Sequence, residues 1–418
     1  MMLSINKHGS FHVSLFLLFL LVFFGKYSLD LGFALKPYMI FLVLFYIIHL
    51  SNIHFYKLQL FECAMLMFYM IYCLSGVFAL YSTVSMRIVC GIALYLFCYF
   101  LMKSLISSSN TFSIERALSY AGIVFNLGSL LFYFLGLKKL NFVLQGDGVY
   151  SLGVFMDREY PRLIGLVADP NYLVFYNTLF FTYFLCNLNN MRNRLGLLLC
   201  IVTSLLSFSR GGLAAFVAIF ILYILIMNHP MRQLRLLIGS FLSIAVMLYV
   251  SVTFLRFDIY SVIQSRIQDF SRDGGSGRFE LWERAWEYFM GSPWIGIGAS
   301  NFLPYNRFQF GDSLQVHNTF LEILSETGII GAFGFLAFLF LTIYQLFQHK
   351  VYKKKPYLFL AFFGFLLQMV SLSIIINDLF FMYLAILSVY FHQEEKAVLK
   401  EQGEVKFSGD ILRGGASL

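Results

Sequence analysis

The sequence predicts an all-α polytopic membrane protein with about twelve transmembrane helices. Three observations predict it. Of 418 residues, 59% are hydrophobic and only 12% charged, with a mean hydropathy of +0.76. Soluble domains run roughly 45–50% apolar and about 25% charged. The apolar runs are long and continuous, whereas the strands of a membrane barrel would alternate over about ten residues. Finally, most Lys and Arg residues fall in the short segments between those runs, where they set orientation. The net charge of +8 therefore reads as a topology signal, and nucleic acid is not an expected partner.

Runs suited to spanning a bilayer lie at 11–25, 37–50, 59–81, 84–106, 117–137, 170–188, 195–208, 211–227, 234–255, 328–347, 357–376 and 379–391. The run from Phe11 to Phe24 has no small-residue cleavage site after it and is expected to be a retained first span. Lys57, Lys103, Arg116, Arg192, Arg194, Arg232, Arg235, the Lys350–Lys355 cluster, Lys396 and Lys400 alternate with sparsely charged segments. That bias places both termini in the cytoplasm and the loops 138–169 and 256–327 outside. Residues 1–393 form a single membrane domain. The polar tail 394–418 is expected to be a disordered cytoplasmic end. The six cysteines all sit in apolar runs without metal-ligand spacing, so they read as small buried hydrophobes.

Polar residues concentrate in the two outer loops. Phe279 to Met290 has helical spacing, with Gly277 before it and Gly291 and Pro293 after it. Phe279, Trp282, Trp286 and Phe289 share one face. That stripe suits a helix in the membrane interface or one packed on the protein's own spans. Arg210 lies in Ser209-Arg210-Gly211-Gly212 between two apolar runs. A charge there costs a few kcal/mol unless paired or solvated; it reads as a snorkelling arginine or as an anion site. Asp169-Pro170 is a helix start, so a capping role is the simpler reading of Asp169. Arg162 lies a few residues before it. Arg278 opens the loop helix. His317 stands alone, without a second histidine or cysteine at ligand spacing. A lone histidine is more often structural, but this one sits at a membrane boundary near several arginines. Asp312, five residues before it, is a candidate to orient it. Glu322 and Glu326 follow at helical spacing. Arginine grips phosphate bidentately and histidine takes a proton near neutral pH. Together they suit transfer from a phosphorylated, lipid-linked donor to a hydroxyl.

Four blocks carry a family resemblance: Arg162 with Gly165 and Asp169-Pro170-Asn171; Ser209-Arg210-Gly211-Gly212; Ser276-Gly277-Arg278 with Trp282 and the Gly291–Gly298 turn; and His317-Asn318 with Leu321, Glu322, Glu326 and Gly328-Ile329-Ile330-Gly331. In this order they resemble the O-antigen ligase and O-antigen polymerase superfamily of bacterial cell-envelope glycosyltransferases. The resemblance covers residues 160 to about 340. It implies a helical fold of the C-type glycosyltransferase kind in the bacterial inner membrane. It further implies an undecaprenyl-diphosphate-linked glycan as donor, a polysaccharide acceptor at the outer face, and no metal or other cofactor. Arg210 and Arg278 would hold the diphosphate, Arg162 would be a further binding arginine, and His317 the base. Asp169, Asp312 and Glu322 are supporting candidates. The bilayer, a chain-length regulator and a flippase are the expected partners. A polymerase would extend a lipid-linked repeat unit, and the polymerase reading is preferred. A ligase would deliver finished polymer to lipid A–core. A flippase needs charges along the whole path, whereas only Glu62, Arg87 and Asp378 lie in or beside spans.

Overall fold

The computed structural model describes residues 7–414 apart from 25, 31–33, 51–55, 143–147, 158–159, 227–230, 232, 235–237 and 239–276. Eight helices precede the last gap: α1 (Lys7–Val22), α2 (Pro37–Ile48), α3 (Leu60–Ser75), α4 (Ser82–Ser107), α5 (Thr111–Lys139), α6 (Pro170–Cys186), α7 (Met191–Leu206) and α8 (Arg210–Ile226). After it come α9 (Arg278–Gly291), α10 (Phe302–Phe310), α11 (Thr319–Gln348), α12 (Pro356–Met369) and α13 (Asp378–Gly414). Eleven of the predicted apolar runs fall on helices. The run at 234–255, the loop residues 256–276 and the Ser276 of the third block lie outside the described residues. The chain is a helical, multi-pass membrane protein. Among the described residues four helices are long and apolar enough to cross a bilayer: Leu60–Phe78, Ser82–Ser107, Thr111–Lys139 and Thr319–Gln348. At 1.5 Å per residue, the 26 residues of α4 reach about 39 Å, more than a hydrocarbon core of about 30 Å.

The helix starts follow local chemistry. Asn110 caps α5 by accepting from Ser113 N at 2.9 Å, and Asn318 caps α11 by accepting from Phe320 N at 3.0 Å and Leu321 N at 3.2 Å. Pro37, Pro170 and Pro356 begin α2, α6 and α12, where a missing N–H is harmless. Aromatic side chains fill the bundle: Phe68 meets Phe335 at 5.0 Å and Phe175 meets Phe365 at 4.8 Å between ring centroids. Two of the three charges noted in or beside spans are answered inside it. Glu62 takes Lys103 Nζ at 2.7 Å, with both side chains almost wholly enclosed. Asp378 pairs with Lys36.

One expectation is corrected. The all-α reading leaves out short strands: the 138–169 loop carries an antiparallel meander of β3 (Val149–Ser151), β4 (Val154–Asp157) and β5 (Tyr160–Leu163), with Phe155 opposite Arg162. A smaller hairpin joins β1 (Leu29–Asp30) and β2 (Ala34–Leu35). Strands of two to four residues leave almost no periodicity to detect. Beyond the last span, α13 continues to Gly414. Its Glu, Lys and Leu residues are good helix formers.

Both loops meet at one end of the bundle. The Lys353–Lys355 turn sits at the other end, where Lys355 Nζ reaches Glu115 at 2.6 Å and Lys354 pairs with Glu394.

The kink in α11 fixes the second loop. At Gly328 the helix breaks, with φ +61° and ψ −162°. The freed backbone groups exchange hydrogen bonds with the 291–298 turn. Ile329 N donates to Pro293 O at 2.8 Å and Ile330 N to Trp294 O at 3.4 Å. Ile297 N donates to Ser325 O and Gly298 N to Glu326 O, both at 2.9 Å. Backbones this close exclude any Cβ: one added at Gly328 would lie 2.4 Å from Trp294 C, and one at Gly296 2.3 Å from Glu326 C. The Glu326 carboxylate completes the latch by accepting from Tyr72 OH, from Ser300 N at 2.9 Å and from Phe302 N at 3.1 Å.

Candidate active site

Asp169 caps α6, its Oδ1 accepting from Asn171 N at 2.7 Å and Tyr172 N at 3.2 Å. Arg162, on β5, reaches the same place. Its NH1 donates to Asp157 Oδ2 at 2.7 Å, its Nε to Ser207 O at 3.0 Å and its NH2 to Asn171 Oδ1 at 3.5 Å. Ser209 Oγ donates to that Asn171 oxygen at 2.8 Å. Arg162 thus staples the meander and the start of α6 to the α7–α8 turn. In that turn Phe208 has φ +53°. The turn delivers Arg210, exposed, as the first residue of α8. Gly211 and Gly212 are small for a reason: added Cβ atoms would lie 2.9 Å from Ser371 Oγ and 2.5 Å from Val174 Cγ1.

Arg278 begins α9 after Gly277, whose φ is +72°. Leu281, Ala285 and Tyr288 turn inward onto Phe302 and Val316, and Trp282 Nε1 donates to Val316 O at 3.1 Å. Of the aromatic stripe, Phe279 and Trp286 are about half exposed. One face of α9 therefore packs on the protein while aromatic surface remains on another. The Arg278 guanidinium is partly buried and has no hydrogen-bond partner among the described residues. Burial and the charge of Arg162 disfavour its protonated form, while Asp169 favours it.

His317 directly precedes the Asn318 cap and adopts φ +52°, unusual for a residue with a Cβ. Its N donates to Ser373 Oγ at 3.2 Å. Burial first, then Arg278, hold its imidazole below the ordinary histidine value, while Asp169 pulls the other way. Arg162, Asp169, Arg278 and His317 therefore share one electrostatic neighbourhood, assembled from both loops. Glu322, one helical turn on, lies beside Ser373, and its Oε2 is enclosed without a hydrogen-bond partner among the described residues. Asp312 does not orient His317. Its carboxylate accepts from Arg284 NH1 at 3.2 Å and Leu314 N at 3.0 Å, ordering the α9–α10 region instead.

The sequence reading missed the 370–377 turn between α12 and α13. Ser373 meets His317 and Glu322, and its carbonyl accepts from Tyr172 OH at 2.6 Å. Thr319 Oγ1 donates to Leu372 O at 2.6 Å and accepts from Ile374 N at 2.9 Å. The signal was there: Ser371, Ser373 and Asn377 interrupt an apolar run, where buried polar groups require partners.

Residues 195–336 match a family model described as O-antigen ligase. Over that stretch, about a third of its length, the chain is similar to the O-antigen ligase family. It is also similar to the teichuronic acid biosynthesis protein TuaE of Bacillus subtilis (strain 168), at 25% identity over 271 residues. That match takes in 59% of this chain and 55% of the relative, so the chain spans little more than half the length of the curated relative it matches. The family match contains Arg210, Arg278, His317 and Glu322; Arg162 and Asp169 lie before it.

Proposed function

We propose that this protein is a polysaccharide polymerase. It transfers a glycan from undecaprenyl diphosphate to a sugar hydroxyl of another lipid-linked repeat unit, at the extracytoplasmic face of the bacterial inner membrane. Both termini are then cytoplasmic. One observation carries the reading. A partly buried arginine without a hydrogen-bond partner among the described residues, Arg278, stands in the charge neighbourhood of His317, whose imidazole burial and Arg278 hold below the ordinary histidine value. An unpaired guanidinium suits an anionic ligand, and a neutral imidazole suits a hydroxyl that must lose its proton.

The acceptor oxygen forms its bond to the anomeric carbon as the bond from that carbon to the diphosphate oxygen breaks. The bonding pair leaves with the diphosphate, where Arg278 and Arg210 neutralise the developing charge. His317 takes the acceptor proton, typically worth about 10²–10⁴-fold. Arg162, with its nitrogens committed to Asp157, Ser207 and Asn171, acts as a positioning residue. In this reading the two arginines supply the positive charge that a metal would otherwise supply, so no metal is needed. The similarity to a teichuronic acid biosynthesis protein supports a polysaccharide product.

The test is purified protein given lipid-linked repeat units alone. A ladder of lipid-linked oligomers is expected. No elongation, with transfer of preformed polymer when lipid A–core is added, would replace the polymerase with a ligase.

A further inference from the structure

Of the three charges the sequence places in or beside spans, Glu62 is answered by Lys103 and Asp378 by Lys36. Arg87 is different. It lies six residues into α4, is exposed, and has no hydrogen-bond or ion-pair partner among the described residues. It lines a cavity of about 310 Å³ whose other walls are mainly apolar, with Val84, Ile88, Leu94 and Ile376, and with Ser300 as a polar member.

The cavity stands at the same end of the bundle as His317. The start of α4 is tied to the second loop: Ser85 Oγ donates to Ala299 O at 2.8 Å, and Tyr81 N donates to Asn301 Oδ1 at 3.0 Å. Ser300 N is held by Glu326, one turn along α11 from Glu322. Ile376 belongs to the turn that carries Ser373. Yet Arg87 is absent from the charges that act on Arg278 or His317. It is a second cationic position, separate from the first but built on the same two segments.

An arginine beside an apolar cavity suits an amphiphile with a phosphate at the end of a hydrocarbon chain. The volume lies at the low end of the roughly 300–1,000 Å³ found for ligand sites. Chain transfer between two lipid-linked glycans requires two diphosphates at once. In the acceptor, the attacking hydroxyl and the diphosphate lie at different ends of the sugar unit, so its diphosphate must rest away from the reacting centre. We propose that the Arg87 cavity seats the diphosphate and first isoprene units of the lipid-linked acceptor, leaving Arg210 and Arg278 to the donor. This assignment rests on the polymerase reading.

The test is a titration of the purified protein with undecaprenyl diphosphate, counting bound equivalents by native mass spectrometry, alongside elongation kinetics. Wild type should bind two equivalents. Arg87→Ala should lose one and Arg278→Ala the other. Arg87→Ala should also raise KM for the lipid-linked repeat unit about ten-fold or more, the cost of a lost charge-assisted hydrogen bond, with kcat little changed. Arg87→Gln carries the same forecast and replaces Arg87→Ala if that variant does not fold. Two equivalents retained in Arg87→Ala overturn the assignment. So does a single wild-type equivalent that only Arg278→Ala removes, which leaves the polymerase standing with Arg87 as a headgroup anchor. No binding by wild type overturns the polymerase reading as well.

Discussion

Replacing Gly328 by alanine should unfasten the second loop from α11, and the size of the effect follows from the geometry. The residue has φ +61°, and its new Cβ would sit 2.4 Å from Trp294 C. Left-handed backbone costs an L-residue roughly 1–2 kcal/mol. The clash is with backbone, which cannot rotate away, so the turn must move off. Losing two of the four exchanged hydrogen bonds adds about 1–3 kcal/mol. The total is about 2–5 kcal/mol. Gly296→Ala breaks the same latch from the other side, so the double variant should lose less than the sum. Gly91→Ala is the control: nothing lies within 4 Å of its added Cβ. The protein has three tryptophans, Trp282, Trp286 and Trp294, all on α9 or this turn. Thermal unfolding in detergent, followed by tryptophan fluorescence, therefore reports on the latch directly. A Gly328→Ala variant that melts like wild type with an unshifted emission spectrum would refute the latch.

Other consequences are open to direct measurement. The lowered value of His317 predicts full activity at neutral pH and an acid limb below the ordinary histidine range, about 6.5. Because Asp169 stabilises the protonated ring, Asp169→Asn should move that limb to lower pH. Because Arg278 opposes protonation, Arg278→Gln should move it to higher pH, in whatever activity remains; pH–rate profiles read both. Lys103→Met should destabilise by about 3–5 kcal/mol by stranding the Glu62 carboxylate, and Glu62→Gln in the same chain should recover most of the loss, as read by melting temperature. Activity should survive a chelator, since two arginines carry the charge; loss in EDTA that a divalent ion reverses would overturn that.

The helices were legible because hydrophobic run length and a cap such as Asp169 act locally. Asp169 shows the limit: its cap was readable, but its pull on Arg278 and His317 arises only where two distant loops meet. Asp312 was misjudged because nearness in sequence stood in for nearness in space, and Arg284 claims it. The glycines of the 291–298 turn and Gly328 stood out as motif residues, yet their reason is a backbone exchange between segments some thirty residues apart. Ser373 left a signal, as one of three polar residues interrupting an apolar run, but its partners His317 and Tyr172 lie far away in sequence and appear only in the fold. The β3–β5 meander is too short to show a period.

The central claim is that His317 deprotonates the acceptor while the arginines hold the donor. Measuring turnover per folded molecule and undecaprenyl diphosphate affinity together in His317→Ala tests it most directly. The account predicts turnover lowered by about 10²-fold or more, with affinity nearly unchanged and normal abundance in the membrane. Wild-type turnover per folded molecule, with only abundance reduced, would contradict it and leave His317 a structural residue.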